Sequence, residues 1–251
     1  MEQSPLQSAL KTTAAGAALL LVVSACAPAE AHPQPVFTQR ASTSSTLARS
    51  AAISEKMSTD TTVRVVVIGD SLSTGLGTSS QQAWPELLKA VPLPDKRALE
   101  ITNAAENGSG YLATGVEGDS FRMEVQAAVT PETDVILFFG SDNDTGTDPE
   151  ELKAAVTLTF DAASSLAPKA TLVAIGPLSG DEWPDQMLAD VCSSVASAAQ
   201  GVGVKFIDPI ADHWLSGRAD VLLGPDREHP SAKGQRFLRD QMKRILSALP
   251  D

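Results

Sequence analysis

The stretch "VVVIGDSLSTG", Val65 to Gly75, is an apolar run that breaks off into Gly-Asp-Ser. From Val63 to Ile68 the residues are β-branched apart from Arg64, the composition expected of a strand covered on both faces. Such a strand needs one layer above it and another below, so its reading sets the architecture. Its end is ambiguous. Asp and Ser are favoured helix N-caps and Gly is a common turn residue, so Ser71 can be a nucleophile at a strand end or simply the polar start of the next helix.

Downstream, apolar runs alternate with helical patterns. "AWPELLKAV" reads as a helix, "LEITN" as a short strand leading into the polar loop "AAENGSG", and "FRMEVQAAV" as another helix. "TDVILFFGSDND" is an apolar strand that ends in a turn. "DPEELKAAVTLTFDAASSLAP" opens with an acidic first turn and closes before Pro168, two helix-boundary signals. The strand "ATLVAIGP", a helix over Met187–Ala199, the strand "VKFIDP" and a helix over Gln235–Leu249 follow. This alternation predicts an α/β fold, a parallel sheet with helices on both faces. Open sheets of this kind bind ligands at the carboxyl ends of their strands. Gly69-Asp70-Ser71, Gly108 and the Gly140–Asp144 turn all follow expected strands and should share that edge.

The first 61 residues read differently. Lys11 precedes the apolar run Ala14–Val23, too short to span a bilayer comfortably and fitting a secretory h-region. The small residues of "VSAC" before Cys26 resemble the lipobox of bacterial lipoproteins, in which cleavage leaves a lipid-modified cysteine. The expected organisation is a lipoprotein-type signal over 1–25, a flexible tether rich in Ala, Ser, Thr and Pro over 26–61, and one domain over 62–251. The implied location is outside the cytoplasm, either at the cell surface with a lipid on Cys26 as the sole membrane contact, or secreted after ordinary signal cleavage. Signal and tether are each charge-balanced, so the net charge of −12 falls in the domain. A domain that acidic, with no basic run, repels nucleic acid and anionic headgroups. Cys192 is the domain's single cysteine, which excludes an intradomain disulfide and suggests a small buried apolar residue.

A serine hydroxyl is a weak nucleophile that needs a base, usually a histidine held by a carboxylate. The domain holds His213 and His229. His213 adjoins Asp212 in "ADHWLSG", but neighbouring residues on a helix do not face each other. His229 lies in "DREHP", three residues after Asp226, a spacing that can return a carboxylate to the imidazole and equally fits a polar turn. Acyl transfer also needs donors aimed at the developing oxyanion. The Asn143 side chain and the Gly108 N–H are candidates, although Asn and Gly are also ordinary loop residues. Other motifs fail. No second glycine completes the G-x-S-x-G elbow, and Gly75 and Gly77 make a lone G-x-G. "DNDTGTDPEE" misses the calcium-loop spacing, and no His/Cys cluster suits zinc. Neither a metal nor a cofactor is expected.

Together, "GDSLS" at Gly69–Ser73, Gly108 in "NAAENGSG", Asn143 in "GSDND" and "DREHP" at Asp226–Pro230 resemble the four blocks of the SGNH/GDSL hydrolases, in order and across essentially the whole domain. The resemblance implies a three-layer α/β/α sandwich of flavodoxin-like type with about five parallel strands. It implies Ser71 as nucleophile, His229 as base and Asp226 as its orienting acid. It also implies an oxyanion hole from the Ser71 N–H, the Gly108 N–H and the Asn143 side chain. Two departures stand out. The third block carries one extra residue between Gly140 and Asn143, and the second offers Gly110 beside Gly108. Gly108 is preferred because it lies five positions after Asn103.

The expected activity is therefore that of an exported serine ester hydrolase on a small-molecule, glycan or lipid ester. A non-catalytic binding lipoprotein on the same scaffold and an acyltransferase are the alternatives. With one Tyr and three Trp in the chain, little points to an extended sugar-stacking platform.

Overall fold

In the computed structural model, which describes residues 62–94, 97–181 and 184–249, the opening run forms β1, Thr62–Gly69. The signal-like run, the tether and Cys26 lie outside the described residues. Four further strands follow: β2 Ala98–Asn103, β3 Val135–Phe139, β4 Thr171–Ile175 and β5 Lys205–Ile207. All pair in parallel, in the order β2-β1-β3-β4-β5. This is the flavodoxin-like order, with its switch point between β1 and β3. Ser71 and Asn143 leave the sheet from those two neighbouring strand ends, which are in register as Gly69 and Phe139.

Among the described residues, the α-helices are α1 Ser71–Thr74, α2 Trp84–Lys89, α3 Phe121–Ala128, α4 Pro149–Leu166, α5 Gln186–Val202, α6 Ala219–Leu222 and α7 Ala232–Ser247. Alternate strand residues point to opposite faces. Val66, Ile68, Ile136, Phe138 and Ala174 pack with Val125 of α3, Phe160 of α4 and Val195 of α5. Val65, Val67, Leu137, Phe139 and Val173 pack with Trp84 and Leu88 of α2 and Leu238 and Met242 of α7. Each buried Val, Leu, Ile, Phe or Met side chain among these contributes about 1.5–3 kcal/mol. The result is the expected three-layer sandwich.

Several boundaries differ from the sequence reading: α5 runs over Gln186–Val202 rather than Met187–Ala199, and α7 ends at Ser247 rather than Leu249. The last helix begins at Ala232, not Gln235, because Ser231 caps it through Gly234 N–H, and Gly234 fits tightly against the Leu222 carbonyl. A glycine that reads as a loop residue is here the contact that lets α7 approach α6. Ser71 starts a short helix, but the capping side chain is that of Asp70. Cys192 is buried as expected, and burial beside Asp208 pushes its thiol up to about 12, which keeps it protonated.

Candidate active site

At the end of β1, Asp70 adopts extended backbone angles and its Oδ1 accepts Leu72 N–H at 2.9 Å. That bond opens α1 and places Ser71 at its first position, nearly buried. Asp70 is itself fully buried, and its Oδ2 has no hydrogen-bond partner among the described residues. Burial raises its pKa well above the ordinary carboxylate value, and the nearby acids Asp142, Glu124 and Asp144 add to the effect.

Ser71 Oγ lies 3.0 Å from His229 Nε2, and His229 Nδ1 lies 2.9 Å from Asp226 Oδ2. The sequence "GPDREHPS" folds so that this is possible. Gly224 N–H donates to the His229 carbonyl at 2.7 Å, Ser231 N–H donates to the Leu222 carbonyl at 2.8 Å, and Leu223 bridges Pro230 in antiparallel fashion. Within this pinched loop, Asp226 Oδ1 accepts the N–H groups of Glu228 and His229, each at 3.1 Å. The hydrogen bond to His229 holds the Asp226 carboxyl below its usual range, and the Glu228 N–H adds to that. His213, the other histidine of the domain, sits exposed after β5.

The loop after β2 is tied to the other two segments. Asn103 Nδ2 donates to the Ser73 carbonyl at 2.9 Å and Thr74 Oγ1 to Asn107 Oδ1 at 2.5 Å. Gly108 takes a left-handed φ of 81°, whereas Gly110 N–H donates to the Ala113 carbonyl at 3.0 Å. Ser109 O accepts Asn143 Nδ2 at 2.9 Å and Ser141 Oγ at 3.1 Å. The extra residue of the third block lies within a single 3-10 turn, Asp142–Asp144. The Asp144 carboxylate then accepts the N–H groups of Tyr111, Leu112 and Ala113 at 2.8–3.0 Å. All five residues expected at the site thus lie on this strand edge or on loops bonded to it.

Sequence reasoning missed three acids here. Asp70, Asp142 and Asp144 each read as a turn residue, and no local pattern separates a turn acid from one that is buried against other loops. The Asp142 carboxyl is raised chiefly by burial, with Glu228 adding and His229 opposing. Gly140 has φ 130°, and a Cβ on it would stand 2.3 Å from Asp70 Oδ2. Gly140→Ala is therefore expected to destabilise the chain by roughly 3 kcal/mol, overpacking and φ strain combined. Urea unfolding should show a lower midpoint at unchanged slope, and a wild-type midpoint would contradict this close approach.

A family model described as GDSL-like lipase/acylhydrolase matches residues 67–237, from within β1 into α7. The chain belongs to that family. It is 35% identical over 195 residues to the GDSL lipase Rv0518 of Mycobacterium tuberculosis, covering 73% of this chain and 81% of the relative. Among solved structures, TesA superposes with a TM-score of 0.59 at 19% identity, covering 73% of this chain and 97% of its own. The lipase/acylhydrolase of Enterococcus faecalis gives a TM-score of 0.59 at 17% identity, over 74% and 95% of the two chains. These structures share the fold. As a GDSL family member, the chain is an ester hydrolase.

Proposed function

We propose that this GDSL hydrolase cleaves carboxylic esters through an acyl-enzyme on Ser71, and the linked contacts Ser71–His229–Asp226 at 3.0 and 2.9 Å carry the reading. An ionised Asp226 can only accept, so His229 Nδ1 holds its proton and Nε2 is left to accept from Ser71 Oγ. Ser71 Oγ attacks the ester carbonyl while His229 takes the hydroxyl proton and passes it to the leaving alcohol. Water, deprotonated in turn by His229, releases the acid and restores Ser71. The base must be neutral to accept the serine proton.

The Ser71 N–H, the Gly108 N–H and the second Asn143 amide hydrogen supply the oxyanion donors. Engagement of the Gly110 N–H by Ala113 supports Gly108 for this role. Asn143→Ala is expected to lower kcat by roughly a hundredfold or more with little change in KM, read on short p-nitrophenyl esters. A fluorophosphonate probe should label Ser71. Absence of labelling on an active, folded protein would overturn the acyl-enzyme, and absence of all ester turnover would favour a binding scaffold. The signal-like run and Cys26 support work outside the cytoplasm, which mass spectrometry of the mature N-terminus tests.

A further inference from the structure

Glu124, on α3, takes no part in the reaction described above, yet it touches two of the segments that build the site. Its side chain is buried. Oε2 accepts Gly69 N–H at 2.9 Å, at the strand end that carries Ser71. Oε1 lies 2.7 Å from the hydroxyl of Ser109, the residue after Gly108 whose carbonyl anchors Asn143 and Ser141.

The proton inventory at Ser109 fixes how Glu124 works. Three oxygens surround Ser109 Oγ: Glu124 Oε1 at 2.7 Å, the Glu106 carbonyl at 2.8 Å and the Gly69 carbonyl at 3.0 Å. The hydroxyl has one proton and the carbonyls have none. With Glu124 ionised, one proton would serve three contacts, and two oxygen pairs would face each other without a hydrogen between them. A neutral Glu124 supplies the missing proton. Its O–H donates to Ser109 Oγ, and the Ser109 hydroxyl proton is shared by the two main-chain carbonyls. The titratable groups facing Glu124 are Glu106, Asp70 and Tyr111, all acidic. Burial pushes its carboxyl up to about 8 against the Ser109 hydroxyl and the Gly69 and Glu106 N–H groups, which favour the anion.

From this geometry we propose that Glu124 is a positioning residue acting as a neutral carboxylic acid, which clamps the Gly69 end of β1 to the Ser109 loop and so holds Ser71, Gly108 and Asn143 in one arrangement. The inference rests on the acyl-enzyme reading for what is positioned, and on proton placement alone for how.

Glu124→Gln tests it, because the amide can donate to Ser109 Oγ, accept from Gly69 N–H and never ionise. Glu124→Gln should keep the wild-type kcat. Glu124→Ala should lose roughly tenfold to a hundredfold in kcat with KM nearly unchanged. Wild-type kcat should fall as pH passes about 8, and the glutamine variant should stay level there. Stability gives a second readout. Between the ordinary value of 4.5 and about 8, the folded chain keeps a proton that the unfolded chain has lost. Wild-type stability therefore falls with pH across that window and levels off above it. The Tm gap between Glu124→Gln and wild type should widen over the same window and then hold constant.

Activity loss in Glu124→Gln matching that in Glu124→Ala, or a Tm gap independent of pH, would overturn the proposal. Infrared spectra of the wild-type chain with carbon-13 carboxyl glutamate need no variant. A labelled protonated-carboxyl band at roughly pH 6, above the ordinary glutamate range, is expected to vanish as pH rises through about 8. Ionised glutamate alone at that pH would also overturn it. Fluorophosphonate labelling of Ser71 in the same wild-type sample separates the two readings: if Ser71 does not label, the acyl-enzyme fails while the spectra still decide the state of Glu124.

Discussion

Ser71→Ala is expected to lower ester turnover by roughly ten-thousandfold or more while leaving the fold intact. The loss follows from removing the attacking oxygen, since His229 Nε2 then faces a methyl group and no other hydroxyl stands in the Ser71 position. The fold survives because the Ser71 side chain does not hold the turn together. Asp70 Oδ1 caps α1 through Leu72 N–H, and the Asp70 carbonyl accepts Ser73 N–H at 2.9 Å. Alanine is the best helix former, and the site it enters is already nearly buried. Circular dichroism and Tm should match wild type, while p-nitrophenyl ester turnover and fluorophosphonate labelling both vanish. A folded Ser71→Ala protein with wild-type turnover would move the nucleophile elsewhere.

The architecture was legible because its central strands are written in continuous apolar runs. Val65–Ile68 and Val135–Phe139 are fully buried, and both faces are covered, which a continuous apolar run states directly. Element ends were less legible. The start of α7 is set by Gly234 meeting the Leu222 backbone, a contact between residues twelve positions apart that no local propensity carries. The four-residue α1 is too short to show a helical period, so "DSLST" suggests a helix start through its capping residues alone.

The contact between Asp226 and His229 was legible for another reason, since the two share one loop and the spacing of three residues lets a carboxylate reach back to the ring. The supporting acids were not legible, because their meaning lies in partners far along the chain. Asp144 binds the N–H groups of residues more than thirty positions away, and Glu124 binds Gly69 at a separation of 55. In the sequence, each is an ordinary acid on a polar turn or at the start of a helix. The buried acids thus act as internal tethers between loops, and a domain with so acidic a composition places some of its carboxylates where they order the site.

Asp226→Asn should damage turnover more than Asp226→Ala, although asparagine is the closer copy in shape. Asp226 Oδ1 accepts two main-chain N–H groups, from Glu228 and His229, while Oδ2 faces His229 Nδ1. An asparagine must keep its carbonyl oxygen toward those two donors, because turning it around would set an NH2 group against two N–H groups. Its amide nitrogen then points at His229 Nδ1 and donates to it. The imidazole is forced to carry its own proton on Nε2, facing Ser71 Oγ, where it cannot take the serine proton. Wrong-tautomer trapping of this kind costs roughly a thousandfold to ten-thousandfold in kcat. Alanine removes the partner without imposing a tautomer, and the side chain it replaces is 46% exposed, so water can serve Nδ1. The expected loss there is roughly tenfold to a hundredfold. Because the wild-type carboxyl lies below its ordinary value through the His229 bond, Asp226 stays ionised across a neutral pH range. Equal losses, or a smaller loss in Asp226→Asn, would mean that Asp226 does not set the histidine tautomer.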